Sequence, residues 1–154
     1  VRELSDEEID EVVGAIPGLE DYFDYVIIDM PAVSNRHYWR FLDITDVQVV
    51  CLVPDRAFAW QILVTTEFRA RRGVVVVVNK YDERIDEHKR VFDTIWRFLD
   101  KRVQRREVVS LGFDPNLGAM SIYGVEALTR LAPSRRTVKS IASLISHIES
   151  LGRT

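Results

Sequence analysis

The sequence lacks the features that mark secreted, disulfide-stabilised and membrane-spanning proteins. Its single cysteine, Cys51, cannot form an internal disulfide and lies within an apolar run, so we expect it to pack as a small hydrophobic residue in a reducing compartment. No apolar run is long enough to cross a bilayer, and the first residues do not have the pattern of a signal peptide. These absences predict a cytoplasmic protein without a membrane span.

Positive charge is not in excess either. The net charge of -3 argues against a surface coated with basic groups to hold nucleic acid. The spacing of the histidines, which include His88 and His147, does not suggest a metal site. A chain of 154 residues without repeats or linkers is long enough for one domain with a full core.

The stretch Asp24–Ala32 is predicted to contain the central strand of the fold. Its apolar residues Val26, Ile27 and Ile28 are typical of a central strand in a parallel sheet, and Pro31 would end that strand. Asp29 would then lie at the carboxyl end of the strand, where open α/β sheets bind ligands. A carboxylate there can hold a Mg²⁺-bound water beside a nucleotide phosphate, but it can equally cap the following turn.

Further apolar runs alternate with segments of helical periodicity. Strands are predicted at Val47–Val53, at the five valines Val74–Val78 and at Glu107–Leu111. Helices are predicted from Ser5 to Ile16, from Ser34 or Asn35 to Leu42, from Phe58 to Arg71, from Glu83 to Arg102, from Leu117 to Leu128 and from Ser134 onward. Ser5 and Glu8 have the pattern of a capping box at the start of the first helix, and Gly73 would stop the third. This alternation predicts a three-layer α/β domain over residues 1–154 with a mostly parallel sheet.

Five landmarks in this order resemble the second half of the ParA/MinD family of P-loop ATPases, from about Tyr22 to Leu151. They are the Walker B-like run Asp24–Pro31, the strand Val47–Val53 between Thr45-Asp46 and Pro54-Asp55, the valine strand ending in Asn79, the segment Leu111–Ala119, and Leu131–Ser134 before the last helix. The resemblance implies a P-loop NTPase-like, Rossmann-type architecture. It also implies an ATP-dependent dimerisation switch that partitions or positions DNA or another cargo.

The resemblance also implies roles for particular residues. Asp29 would be catalytic and would hold Mg²⁺ through water. Asn79 would contact the adenine of ATP, Lys80 would lie along the base, and Pro133 would wall its pocket. Each has an ordinary alternative: Asn79 as a turn residue, Lys80 in solvent, and Pro133 as the end of a segment before an N-capping serine.

Partners follow from the same resemblance. The chain would form a homodimer, and a protein partner would bind near the switch II-like segment after Pro31, where His37, Tyr38, Trp39 and Arg40 could form an interface. Packing of Trp39 on the sheet is the alternative. The basic groups could bind DNA without sequence preference, but the acidic net charge favours ordinary helix-end roles. These groups are Arg69, Arg71, Arg72, Lys101, Arg102, Arg105 and Arg106.

One departure from the family leaves two functions open. No Gly-x-x-x-x-Gly-Lys loop occurs in this chain, so ATP and Mg²⁺ are expected only if a longer protein supplies the phosphate loop. The chain is then the carboxyl part of an ATPase, and its activity as an enzyme is left open. The alternative is a non-catalytic scaffold domain, for example of the CpaE/TadZ pilus-localising group. An unrelated flavodoxin-like or receiver-type domain is disfavoured, because a receiver would need acidic residues at the end of its first strand and these are not found.

Overall fold

The computed structural model describes residues 5–19, 21–30, 39–116 and 132–152. Within these ranges three parallel strands form one sheet in the order β1 (Val47–Leu52), β2 (Gly73–Tyr81) and β3 (Arg106–Gly112). The helices are α1 (Asp6–Ala15, continued by a 3₁₀ turn at Ile16–Leu19), α2 (Trp39–Ile44), α3 (Arg56–Thr65), α4 (Asp86–Asp100) and α5 (Arg135–Gly152). The predicted α/β class, with helices on both faces of a parallel sheet, is confirmed.

The central strand β2 is buried on both faces. Its five valines are at most 2% exposed and alternate between two hydrophobic clusters, as the period of a strand requires. On one face Val74, Val76 and Val78 pack against α3 and α4. This larger cluster is completed by Val50, Leu52, Ala59, Leu63, Val91, Ile95 and Leu99.

The opposite face of the sheet has a smaller cluster under α5. Val75 and Val77 pack there with Val109 of β3 and Leu151 of α5. Helix α5 leaves much of β1 open on this side, since Val49 is 42% exposed and Cys51 is also exposed. The prediction that Cys51 packs inside the protein is therefore wrong, although partial burial still raises the pKa of its thiol.

Helix boundaries follow capping groups more closely than apolar periodicity. The predicted capping box at the start of α1 is confirmed, with Ser5 N donating to Glu8 Oε2 at 2.8 Å and Glu8 N donating to Ser5 Oγ at 3.3 Å. Helix α3 starts earlier than predicted because Asp55 caps it, accepting from Phe58 N at 2.7 Å. The helix also ends six residues earlier than predicted, at Thr65, because Thr66 has an extended backbone.

Strand β2 is bounded by two special backbone positions. Gly73 was predicted to stop the preceding helix, but it is the first residue of the strand, and a Cβ there would lie 2.8 Å from Arg105 O. At the other end the pairing with β3 shifts between Asn79 and Tyr81. Lys80, at this bulge, has a φ of 60°, a left-handed conformation that residues other than glycine rarely adopt.

The prediction of a central strand at Asp24–Met30 is wrong in the structure. Residues 25–30 have no regular secondary structure, and Ile27 is 90% exposed. A strand exists only when a neighbour supplies backbone partners, and no strand among the described residues pairs with this segment. The predicted helices that begin at Ser34 or Asn35 and at Leu117 fall wholly or partly outside the described residues; Trp39–Ile44 of the first is helical.

Candidate functional site

The carboxyl end of β2 carries the predicted base-binding residues Asn79 and Lys80. Both side chains are exposed beyond the buried valines, where parallel sheets present ligand-binding loops. The left-handed backbone of Lys80 lies at a bulge in the last residues of β2, where the pairing with β3 shifts. Strained backbone conformations of this kind persist only where the surrounding structure supports them, and they are concentrated at functional sites.

The amide of Asn79 has a defined orientation. Its Oδ1 accepts a hydrogen bond from Lys80 N at 2.9 Å, so the amide nitrogen is on the other side of the side chain. No described residue accepts a hydrogen bond from Nδ2. A ligand at this position would therefore meet two N–H donors and would have to offer an acceptor atom, as a nucleobase ring nitrogen or carbonyl does.

The turn after Lys80 is held by side chains of the next segment. Asp82 N donates to Nδ1 of His88 at 3.0 Å, and the carboxylate of Asp82 accepts from Arg84 N and from the Arg84 guanidinium at 2.7–3.0 Å. The hydrogen bond from the Arg84 side chain is the main cause that holds the pKa of Asp82 well below its usual range. The predictions from sequence did not include His88 or Asp82 in the site.

A second cluster lies after β3 and fixes the position of Pro133. The buried carboxylate of Asp114 accepts hydrogen bonds from Thr137 Oγ1 at 2.6 Å, Ser134 N at 2.8 Å and Asn116 N at 2.9 Å. The Thr137 hydroxyl and the Ser134 amide lower the pKa of Asp114. We call these four residues the Asp114 clamp. Because Ser134 directly follows Pro133, the clamp ties the start of α5 to the end of β3.

The predicted role of Ser134 as N-cap is confirmed, since its Oγ accepts from Thr137 N at 3.2 Å. Pro133 itself is half-buried, which is compatible with either of its predicted roles. One local signal for the clamp is visible in the sequence, namely a serine followed three residues later by a threonine at a helix start. Its partner Asp114 lies 23 residues from Thr137, and a single sequence does not reveal that contact.

Asp29 is not brought to these residues by any hydrogen bond or ion pair of the described chain. It lies exposed at the end of the irregular segment 25–30. Across residues 5–19, 21–30, 39–116 and 132–152, no three His, Cys, Asp or Glu side chains group as metal ligands would. The role of Asp29 toward Mg²⁺ stays a prediction.

The predicted partner-binding segment is only partly described. His37 and Tyr38 lie outside the described residues, whereas Trp39 and Arg40 begin α2. The guanidinium of Arg69 lies over the Trp39 ring at 5.2 Å, and Arg40 pairs with Asp10 of α1. Trp39 and Arg40 therefore have partners within the chain, but neither contact places Trp39 on the sheet, and the interface stays a prediction.

The basic groups mostly have partners within the chain. Arg69, Arg72 and Arg106 form ion pairs with Asp43, Asp46 and Asp100. The guanidinium of Arg102 lies 4.2 Å from the centre of the Phe98 ring. These pairings favour contacts within the chain over DNA binding. The predicted helix-end role is wrong for Arg69, Arg71 and Arg72, because α3 ends at Thr65.

A cleft among the described residues lies elsewhere, between α3 and α4. Its volume is about 530 Å³, and its walls include Trp60, Leu63, Val91 and Ile95 with Arg56 at the rim. None of the predicted site residues lines it. It therefore adds no residue to the candidate site.

Comparison with family models and with curated protein sequences gives no match to this chain. In the part of the chain that the structure describes, no helix combines the length and the apolar character that a membrane crossing needs. The candidate site therefore stands on its own geometry: an exposed amide and ammonium at the end of β2, with the Asp114 clamp after the neighbouring strand.

Proposed function

We propose that the chain is part of a ParA/MinD-like ATPase, a nucleotide-dependent dimerisation switch that positions DNA or another cellular cargo. The observation that carries the proposal is the sharp left-handed turn that presents Asn79 and Lys80 at the carboxyl end of the central parallel strand. It is supported by the order of the five sequence landmarks and by the parallel α/β sheet, which is compatible with a Rossmann-like fold.

In this proposal the residues of the turn bind the nucleobase. Asn79 Nδ2 donates to an acceptor on the base, and the aliphatic stem of Lys80 lies along its face. Pro133, tied to the end of β3 by the Asp114 clamp, closes the pocket from the next strand. A phosphate loop elsewhere in the full-length protein would hold the phosphates, and Asp29 would hold Mg²⁺ through a water molecule.

Titration of the full-length protein with Mg-ATP tests the proposal, using equilibrium binding and sedimentation to follow affinity and dimerisation. We expect Asn79→Ala to weaken binding about tenfold, since it removes a hydrogen bond to the ligand. Asp29→Ala should abolish Mg²⁺-dependent hydrolysis and nucleotide-dependent dimers, whereas Asp24→Ala, in the same exposed segment, should change neither. A full-length protein that does not bind ATP would refute the proposal.

The second candidate function is a non-catalytic scaffold domain that positions a pilus or secretion apparatus. It is favoured by one specific observation: the chain has no Gly-x-x-x-x-Gly-Lys loop to hold phosphates. A scaffold would form its complexes in the absence of nucleotide. Failure of the full-length protein to bind ATP, together with nucleotide-independent association with a protein partner, would support this function.

A further inference from the structure

The turn that carries Asn79 and Lys80 is held from outside by one side chain of α4. His88 lies in the first turn of that helix, is half-buried, and reaches back six residues with its ring nitrogen Nδ1 to accept from Asp82 N at 3.0 Å. We propose that His88 is the positioning residue of the candidate base site, acting as a neutral acceptor that keeps the Lys80 turn in its left-handed conformation. The inference rests on the proposed nucleotide site and names a residue that sets its geometry.

The hydrogen-bond direction fixes the chemical state of His88. A backbone N–H can only donate, so Nδ1 must carry a lone pair, and the ring proton must be on Nε2. A protonated imidazolium would place an N–H donor against the Asp82 N–H donor and would remove the acceptor. The positioning role therefore requires the neutral Nε2–H tautomer.

Ring packing adds a second constraint to the same turn. The His88 ring lies 6.1 Å from the ring of Tyr81, and Tyr81 also contacts Phe92 at 5.7 Å between ring centres. Tyr81 is the residue directly after Lys80. Its side chain is thus held against α4 while its backbone pairs with Gly112 of β3.

The Asp82 carboxylate completes the support. It accepts from Arg84 N at 3.0 Å, which closes the chain into a tight turn before α4. With Tyr81 held by rings and Asp82 held at both its N–H and its carboxylate, the residues after Lys80 have little freedom. A left-handed residue other than glycine is strained, so it persists only with such support.

Two substitutions separate the acceptor from the ring. His88→Asn keeps an acceptor, because its Oδ1 can occupy nearly the position of Nδ1, and it loses the ring. His88→Phe keeps a ring against Tyr81 and loses the acceptor. His147→Phe is the matched control, since His147 lies on α5 beside Glu107, on the opposite face of the sheet.

The first measurement is nuclear magnetic resonance on the full-length protein without nucleotide. We expect the ¹⁵N pattern of the Nε2–H tautomer for His88, slow exchange of the Asp82 amide, and Lys80 shifts typical of a left-handed backbone. The last two should persist in His88→Asn and in His147→Phe and should be lost in His88→Phe. A ring protonated at Nδ1, or Lys80 shifts that do not change in His88→Phe, would refute the positioning role whether or not the protein binds nucleotide.

The second measurement is Mg-ATP affinity. His88→Phe should weaken binding about tenfold, while His88→Asn should remain within about twofold of the original protein. If the original protein does not bind ATP, the proposed function fails and the resonance data still decide the role of His88. If it binds ATP and His88→Phe binds equally well, the inference fails and the proposed function stands. Should His88→Phe not fold, fast exchange of the Asp82 amide or altered Lys80 shifts in His88→Asn would decide against the positioning role.

Discussion

Two apolar runs in this chain have similar sequences but differ in burial and in secondary structure. The valines of β2 are at most 2% exposed, whereas in the run Val26–Ile28 the central residue, Ile27, is 90% exposed. Strand β2 has a hydrogen-bonded neighbour on each side and helices on both faces, but no described strand pairs with the other run. The comparison shows that an apolar run of β-forming residues indicates only a preference for burial. Whether the run becomes a strand depends on neighbouring strands that can pair with it.

A charge placed in each run gives the largest expected difference. Val76→Asp should unfold the protein, because a buried unpaired carboxylate costs several kcal/mol, comparable with the total stability of a small domain. Ile27→Asp should change the free energy of unfolding by less than about 0.5 kcal/mol, since the side chain stays in water. Circular dichroism and chemical denaturation measure both. Equal destabilisation by the two substitutions would mean that residues 25–30 are buried in solution.

Substitution of Asp114, after β3, and of Asp29, after the run Val26–Ile28, should give an intermediate difference in thermal stability. Asp114→Asn puts amide hydrogens or a weaker acceptor against the three donors of the Asp114 clamp, and we expect the melting temperature to fall by about 5 °C. Asp29→Asn, the same substitution at the end of the exposed run, should shift it by less than about 1 °C. Differential scanning calorimetry on both variants makes the comparison.

The effect of Asp114→Asn on the melting temperature should also depend on pH. The folded-state pKa of Asp114 is lowered, so its stabilisation is fully present above its unfolded pKa of about 3.9 and is lost as the pH falls below that value. The difference in melting temperature between the original protein and Asp114→Asn should therefore shrink below about pH 4. A difference that is constant from pH 7 to pH 3 would contradict the charged clamp.

The smallest effect concerns the contact that holds the exposed segment against α5. Tyr25 Oη donates to Glu149 Oε1 at 2.8 Å on the protein surface. Tyr25→Phe should leave the free energy of unfolding within about 0.5 kcal/mol of the original, because exposed hydrogen bonds contribute little net stability. Cleavage by chymotrypsin near Phe23 should become faster, whereas Tyr22→Phe should leave the cleavage rate unchanged. A large loss of stability in Tyr25→Phe would show that the segment is part of the folded core.

Sequence reasoning found those features that depend on local chemistry. The valine run at β2, the capping box at Ser5 and the N-cap at Ser134 follow from backbone propensity and short-range hydrogen bonding, and all three are present. The ends of α3 were misplaced because apolar periodicity continues past Thr65, where the backbone becomes extended. Periodicity reports which residues prefer burial and carries little information about where hydrogen bonding stops.

The parts of the site that were missed depend on contacts between distant residues. The left-handed conformation of Lys80 follows from support by His88 and Tyr81, and the Asp114 clamp joins residues that are 20 or more positions apart. Asn79 and Lys80 could be chosen as candidates because they follow a buried strand, but their orientation could not. One sequence is enough to predict which residues lie at the end of a strand. The orientation of their side chains depends on groups from other elements, which one sequence does not reveal.

Five consecutive valines have one further consequence. Sliding β2 by one residue against its neighbours would put valine in place of valine on both faces, so the middle of the strand contains almost no information about its own alignment. That information must come from its ends. Gly73 admits the Arg105 carbonyl where any larger residue would collide, and the bulge at Lys80 shifts the pairing with β3 between Asn79 and Tyr81. The most uniform segment of the molecule is thus aligned by its two least regular residues.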